Sequence, residues 1–98
     1  MNTSIALPTV MTADIAVRAK VQLLQSMQAL PRGQAVVLEA SGVQSFDSAG
    51  LALLLACRRA ALAQGRSLTV VQWPASLRAL AQMYGILPLL DPQAAVQP

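Results

Sequence analysis

Two short runs rich in β-branched residues, Ala35-Val36-Val37-Leu38-Glu39-Ala40 and Ser67-Leu68-Thr69-Val70-Val71-Gln72, each lead through a turn into a helical pattern. Strands alternating with helices over short connections close as an α/β domain with parallel neighbours joined by crossovers. The first run is almost continuously apolar, which predicts a central strand covered on one or both faces. The second alternates, as a strand with two unlike faces does. Upstream, residues 4–11 have extended character, although Pro8 cannot donate to a ladder and favours an edge or a bend.

Three helices follow from spacing and caps. Thr12 is placed to cap a helix running to about Leu30, with Val17, Val21, Leu23, Leu24, Met27 and Leu30 on one side and Arg18, Gln22, Gln25 and Ser26 on the other. Pro31-Arg32-Gly33 ends it. A second helix is predicted over 48–64, opened by Asp47 or Ser48, both good caps for unpaired N–H groups, and stopped by Gly65. A third begins at Pro74, suited to a first helical position, turns Leu77, Leu80, Ala81 and Tyr84 to the core and ends at Gly85. The expectation is one domain over 1–98, ordered over about 4–90, with the proline-containing tail 91–98 fraying.

Composition removes several function classes. The mean hydropathy of +0.53 suggests a membrane protein, yet the longest run without a polar residue is Ala49–Cys57, nine residues, where a spanning helix needs about 20. Met1–Met11 has no basic residue and is interrupted by Pro8, so no signal peptide is expected and the chain reads as soluble and cytoplasmic. Its single cysteine, Cys57, falls within a helical pattern with no His or Lys expected beside it, and reads as a small buried hydrophobe. The net charge of +3 comes from scattered arginines without interleaved aromatics, unlike a nucleic-acid face.

Ser48 is the one conspicuous hydroxyl, and as a nucleophile it needs an adjacent base. The chain contains no histidine, Lys20 is its only lysine, and Asp47 is the only acid nearby. A zinc-ligand cluster and a phosphate-binding glycine loop with its lysine are missing too. No catalysis, cofactor or metal is expected.

On a wheel of the second helix, Leu51, Leu54, Leu55, Ala61 and Leu62 form one arc, expected to pack on the sheet with Arg58 at its margin. The opposite arc holds Ala49, Leu53, Ala56, Ala60 and Ala63, with Ser48, Ala52 and Arg59 along one edge. A solvent-facing arc normally carries charge, so an arc this apolar is expected to be covered by a partner.

The run Asp47-Ser48-Ala49-Gly50-Leu51, the alanine/leucine helix after it, Gln64-Gly65, the strand at Ser67–Gln72 and the closing Leu77-Arg78-Ala79-Leu80-Ala81-Gln82-Met83-Tyr84-Gly85-Ile86 resemble a STAS domain from about Val36 to Leu90. This is the fold of the anti-sigma-factor antagonists and of the small cytoplasmic subunit of bacterial lipid-transport ABC complexes. The resemblance implies a STAS-like mixed β-sheet with packed helices, here without the first strand of the full sheet and without the usual acidic motif near the first helix. It also implies a binding protein. In the antagonists the serine matching Ser48 is phosphorylated by a partner kinase, which blocks binding. In the transport subunit the matching hydroxyl residue belongs to the contact with the ATPase.

Ala49, the Leu51–Leu55 run and the ending Leu80–Pro88 look like the lipid-asymmetry type, whereas the antagonists more often carry a second serine at 49 and glycine at 52. The reading that results is a non-catalytic accessory subunit of a phospholipid ABC transporter. It would dock on the ATPase, and through it on the membrane permease, by Asp47, Ser48, Ala49, Ala52, Leu53, Ala56, Arg59 and Ala60. Its location would be cytoplasmic and peripheral to the inner membrane. The alternative is an anti-sigma-factor antagonist switched at Ser48, whose partner is an anti-sigma factor or kinase, and a more distant third is a basic nucleic-acid adaptor.

Overall fold

The strand at the centre is β3, Val36–Glu39, and its position follows from its composition. A computed structural model describes residues 4–91. In it β3 lies between β1, Ile5–Ala6, and β5, Leu68–Val71, in a parallel sheet of order β1-β3-β5. Val36 pairs with Leu68 and Glu39 with Val71, while Ile5 and Ala6 pair with Leu38 and Glu39. Val36, Leu38, Leu68 and Val70 are buried and alternate with half-buried Val37, Glu39, Thr69 and Val71, so one face of the sheet builds the core.

Pro8 divides the N-terminal extended segment. Beyond it β2, Val10–Met11, leaves the main sheet and pairs in parallel with β4, Ser45–Phe46, Met11 opposite Phe46. Positions 45–46 therefore form a strand where a loop is the natural reading; two residues are too few to show a period. All described pairings are parallel, and no strand precedes Ile5 among the described residues.

The helices are α1, Ala13–Gln28, α2, Ser48–Ala63, α3, Ala75–Met83, and α4, Leu87–Leu90. In α1 the buried residues are Ala19, Leu23 and Met27, whereas Val17 is 77% exposed and Val21 is exposed as well. The expected stripe is thus corrected: residues two apart lie about 200° apart on a helix, so burying 19 and 23 turns 17 and 21 outward. Thr12 takes the cap position, but its hydroxyl donates to the Asp14 carboxylate instead of accepting from the backbone. In α3, Leu77 and Ala81 are buried, and Pro74 sits one place before the helix as its cap. Tyr84 is exposed, contrary to expectation, because the helix has ended before it and Gly85 follows in the left-handed region at φ +75°.

The short α4 has no counterpart in the sequence reading. It buries Leu87 and Leu90 and is tied to α2 by Arg58, whose Nε donates to the Leu89 carbonyl at 3.1 Å. The fraying expected for the tail concerns residues 92–98, which lie outside the described residues; Asp91 caps α4. No helix is long and apolar enough to cross a membrane among the described residues.

At the far end of the helices Arg66, 6% exposed, closes the fold. Its Nη1 donates to the carbonyls of Pro31 and Gln34 at 3.0 and 3.1 Å, its Nη2 to Leu30 at 3.2 Å, and its Nε to the Gln64 side chain at 2.9 Å. The guanidinium thereby gathers three carbonyls of the turn after α1, of which that of Pro31 also accepts from the Gln34 N–H at 3.1 Å.

Candidate docking groove

The groove begins at Asp47. This residue caps α2, its Oδ1 accepting from the Ala49 N–H at 2.9 Å, while its Oδ2 accepts from the Ala13 N–H, the first of α1, at 3.1 Å. One carboxylate thus receives the N-termini of both helices, where backbone N–H groups and helix dipoles favour negative charge. Ser48 is not the cap. It is the first residue of α2, exposed, and its hydroxyl bonds to no other described residue.

Gly50 sets how closely α2 approaches the sheet. A Cβ there would stand 2.6 Å from the Met11 carbonyl oxygen and 3.1 Å from its Cβ. The glycine of the Asp-Ser-Ala-Gly-Leu run is required by this backbone contact.

From Asp47 the two helices run side by side, and between them lies an open groove of about 400 Å³. Its α2 wall comprises Ala49, Ala52, Leu53, Ala56 and Arg59; its α1 wall comprises Ala13, Ala16, Val17 and Lys20. Five of the eight residues expected to bind a partner are therefore brought together, with Asp47 and Ser48 beside the N-terminal end and half-buried Ala60 outside the lining. The four α1 residues were missed because Val17 was assigned to the core stripe and Ala13, Ala16 and Lys20 to neither face of the helix. Their alternation of alanine and valine with one lysine carries no motif.

The wheel of α2 needs one correction. Leu53, assigned to the outward arc, is 3% exposed, and Leu62, assigned to the core, is 51% exposed. The wheel assumed one packing direction, whereas α2 packs on both the sheet and α1, which turns its buried arc to Gly50, Leu51, Leu53, Leu54, Cys57 and Ala61. Leu53 forms the groove floor.

Cys57 is fully buried, as expected, but Lys20 stands close enough to act on it. Burial dominates and pushes the thiol up from 9.0 to about 11, with Lys20 opposing. A folded-state value above the unfolded one means that stability is intact below pH 9 and lost as pH rises through 11. At 1.36 kcal/mol per unit that loss is at most about 3 kcal/mol. Urea unfolding from pH 8 to 11 should show it, and the slope should vanish in Cys57→Ala; equal slopes in the two proteins would count against a buried thiol.

A parallel sheet packed with helices, α2 opened by the Asp-Ser-Ala-Gly-Leu run and its Asp47 also holding the first N–H of α1, is the arrangement of a STAS domain, a family that is generally non-enzymatic. The family model described as "Mlab, STAS domain" matches residues 4–91. The chain belongs to that MlaB-type STAS family. No curated protein matches it.

Proposed function

We propose that this STAS domain acts without catalysis as the accessory subunit of a phospholipid ABC transporter, docking on the cytoplasmic ATPase and, through it, on the permease. The observation that carries the reading is the open groove, whose apolar α2 wall is built from the family signature and the helix it opens. Groove alanines let a partner's backbone approach closely, and the cations at one end add orientation. The domain would be a single unit held at the inner membrane through its complex.

Ala52→Glu tests the proposal, since Ala52 is exposed and lines the groove. A change at a surface site should leave stability within about 0.5 kcal/mol of wild type. Affinity for the purified ATPase should fall at least tenfold, and the permease should no longer co-purify. Undiminished recovery of both proteins by the variant rejects the proposal. Leu53→Glu does not serve, because burying a carboxylate on the groove floor would damage the fold itself. The exposed hydroxyl of Ser48 keeps a second reading, the antagonist phosphoswitch, open to test. Recovery of a kinase-like partner, together with a phosphate mass shift abolished by Ser48→Ala, would select it.

A further inference from the structure

The lining residues advance together along α1 and α2, and this gives the groove a direction. Ala13 and Ala49 lie at the end held by Asp47; Lys20 and Arg59 lie furthest along their helices at the other. At 1.5 Å per residue the path from Ala49 to Arg59 is about 15 Å. Its middle, formed by Ala16, Val17, Ala52, Leu53 and Ala56, is uncharged.

Lys20 and Arg59 make no hydrogen bond or ion pair with any other described residue. The chain has four acids, and all are engaged elsewhere. Asp14 accepts from Thr12, Glu39 accepts from Ser41 at 2.8 Å, Asp47 holds the two helix N-termini, and Asp91 has a partner of its own. Arg58 and Arg66, by contrast, are satisfied by backbone carbonyls. The two groove cations are therefore left without a counter-charge from the described protein. An apolar occupant lying over them would remove water from both, which costs free energy unless it brings negative charge.

We propose that the segment of the ATPase seated in the groove is an apolar stretch about 15 Å long with an aspartate or glutamate at the end that lies over Lys20 and Arg59. This rests on the groove being the docking surface. The carboxylate sets the direction in which the segment lies, because reversal would bring it to Asp47 and leave both cations bare. Arg59 offers the fork a carboxylate accepts from, and Lys20 a mobile point charge beside it.

The purified ATPase subunit is the probe, titrated against wild type, Lys20→Met/Arg59→Met and Ala52→Glu at low and high salt. The methionine pair keeps the side-chain bulk and removes both charges. It should bind at least tenfold more weakly at low salt and lose most of the salt dependence. Lys20→Glu/Arg59→Glu should abolish binding and be rescued by an acid-to-lysine change in the ATPase. If Ala52→Glu loses binding while the methionine pair keeps wild-type affinity and salt dependence, the carboxylate is wrong and the docking surface stands. If Ala52→Glu binds normally, both readings fall. Sedimentation of the domain alone and its binding to anionic vesicles test the other occupants. A dimer broken by Ala52→Glu, or vesicle binding lost in the methionine pair, would assign the groove to a second copy or to lipid and overturn the proposal.

Discussion

Replacing Gly50 by alanine is expected to lower the unfolding free energy by about 2 kcal/mol, although alanine is the better helix former. The added Cβ would meet the Met11 carbonyl oxygen at 2.6 Å, and a backbone atom cannot move aside as a flexible side-chain end can. Met11 is fully buried, and its strand is pinned to β4, so β2 has little room to retreat. Relief must come from α2 sliding off the sheet, which loosens Leu51 and Leu54 beneath it. The gain from helix propensity, at most about 1 kcal/mol, does not offset this. In urea melts the midpoint should fall with an unchanged slope, and the thermal midpoint should drop by roughly 10 °C. A variant as stable as wild type would mean that the helix and strand are not in contact.

Arg66→Met should be at least as damaging, with a loss of about 3 kcal/mol in the same measurement. The methylene stem is conserved in such a change, so packing is largely kept and the loss reports on hydrogen bonding. Four bonds disappear, three of them charge-assisted bonds to carbonyls at positions 30, 31 and 34. The half-buried Leu30 and Gln34 carbonyls then lose a partner, while that of Pro31 keeps the Gln34 N–H. Arg66→Lys should recover little, because an ammonium cannot span three carbonyls and a side-chain amide in one plane. Wild-type stability in the methionine variant would show that the turn after α1 is held by other contacts.

How much could be read from the residue order depended on whether the determining partner was local. The strands at 36–39 and 68–71 and the helix at 48–63 were legible because their signals lie within a few residues of one another, whereas the choice between Asp47 and Ser48 as its cap was not. The family motif was legible for the same reason. Leu53 and Leu62 were not: both are leucines of one helix, and only α1, more than twenty residues upstream, decides which of them is buried. Val17 and Val21 were read as core for want of that same neighbour. Arg66 looked like one more scattered cation because its three carbonyl acceptors lie more than thirty positions away. The groove was half visible: its α2 wall was expected as a lone helix face, and α1 supplies the other wall.

The double hold of Asp47 also bears on the energetics of docking. Because one carboxylate receives the first N–H of α1 and the N–H of Ala49, the groove walls cannot spread at their origin without unpairing a helix end. If the groove is the docking surface proposed above, it is therefore preorganised. Its shape is set during folding, and association need not spend conformational entropy on forming it. What remains to be ordered on contact is chiefly the long side chains of Lys20 and Arg59 at the opposite mouth. A partner docking there, as proposed, would meet a cleft held at one end and two long charged side chains at the other.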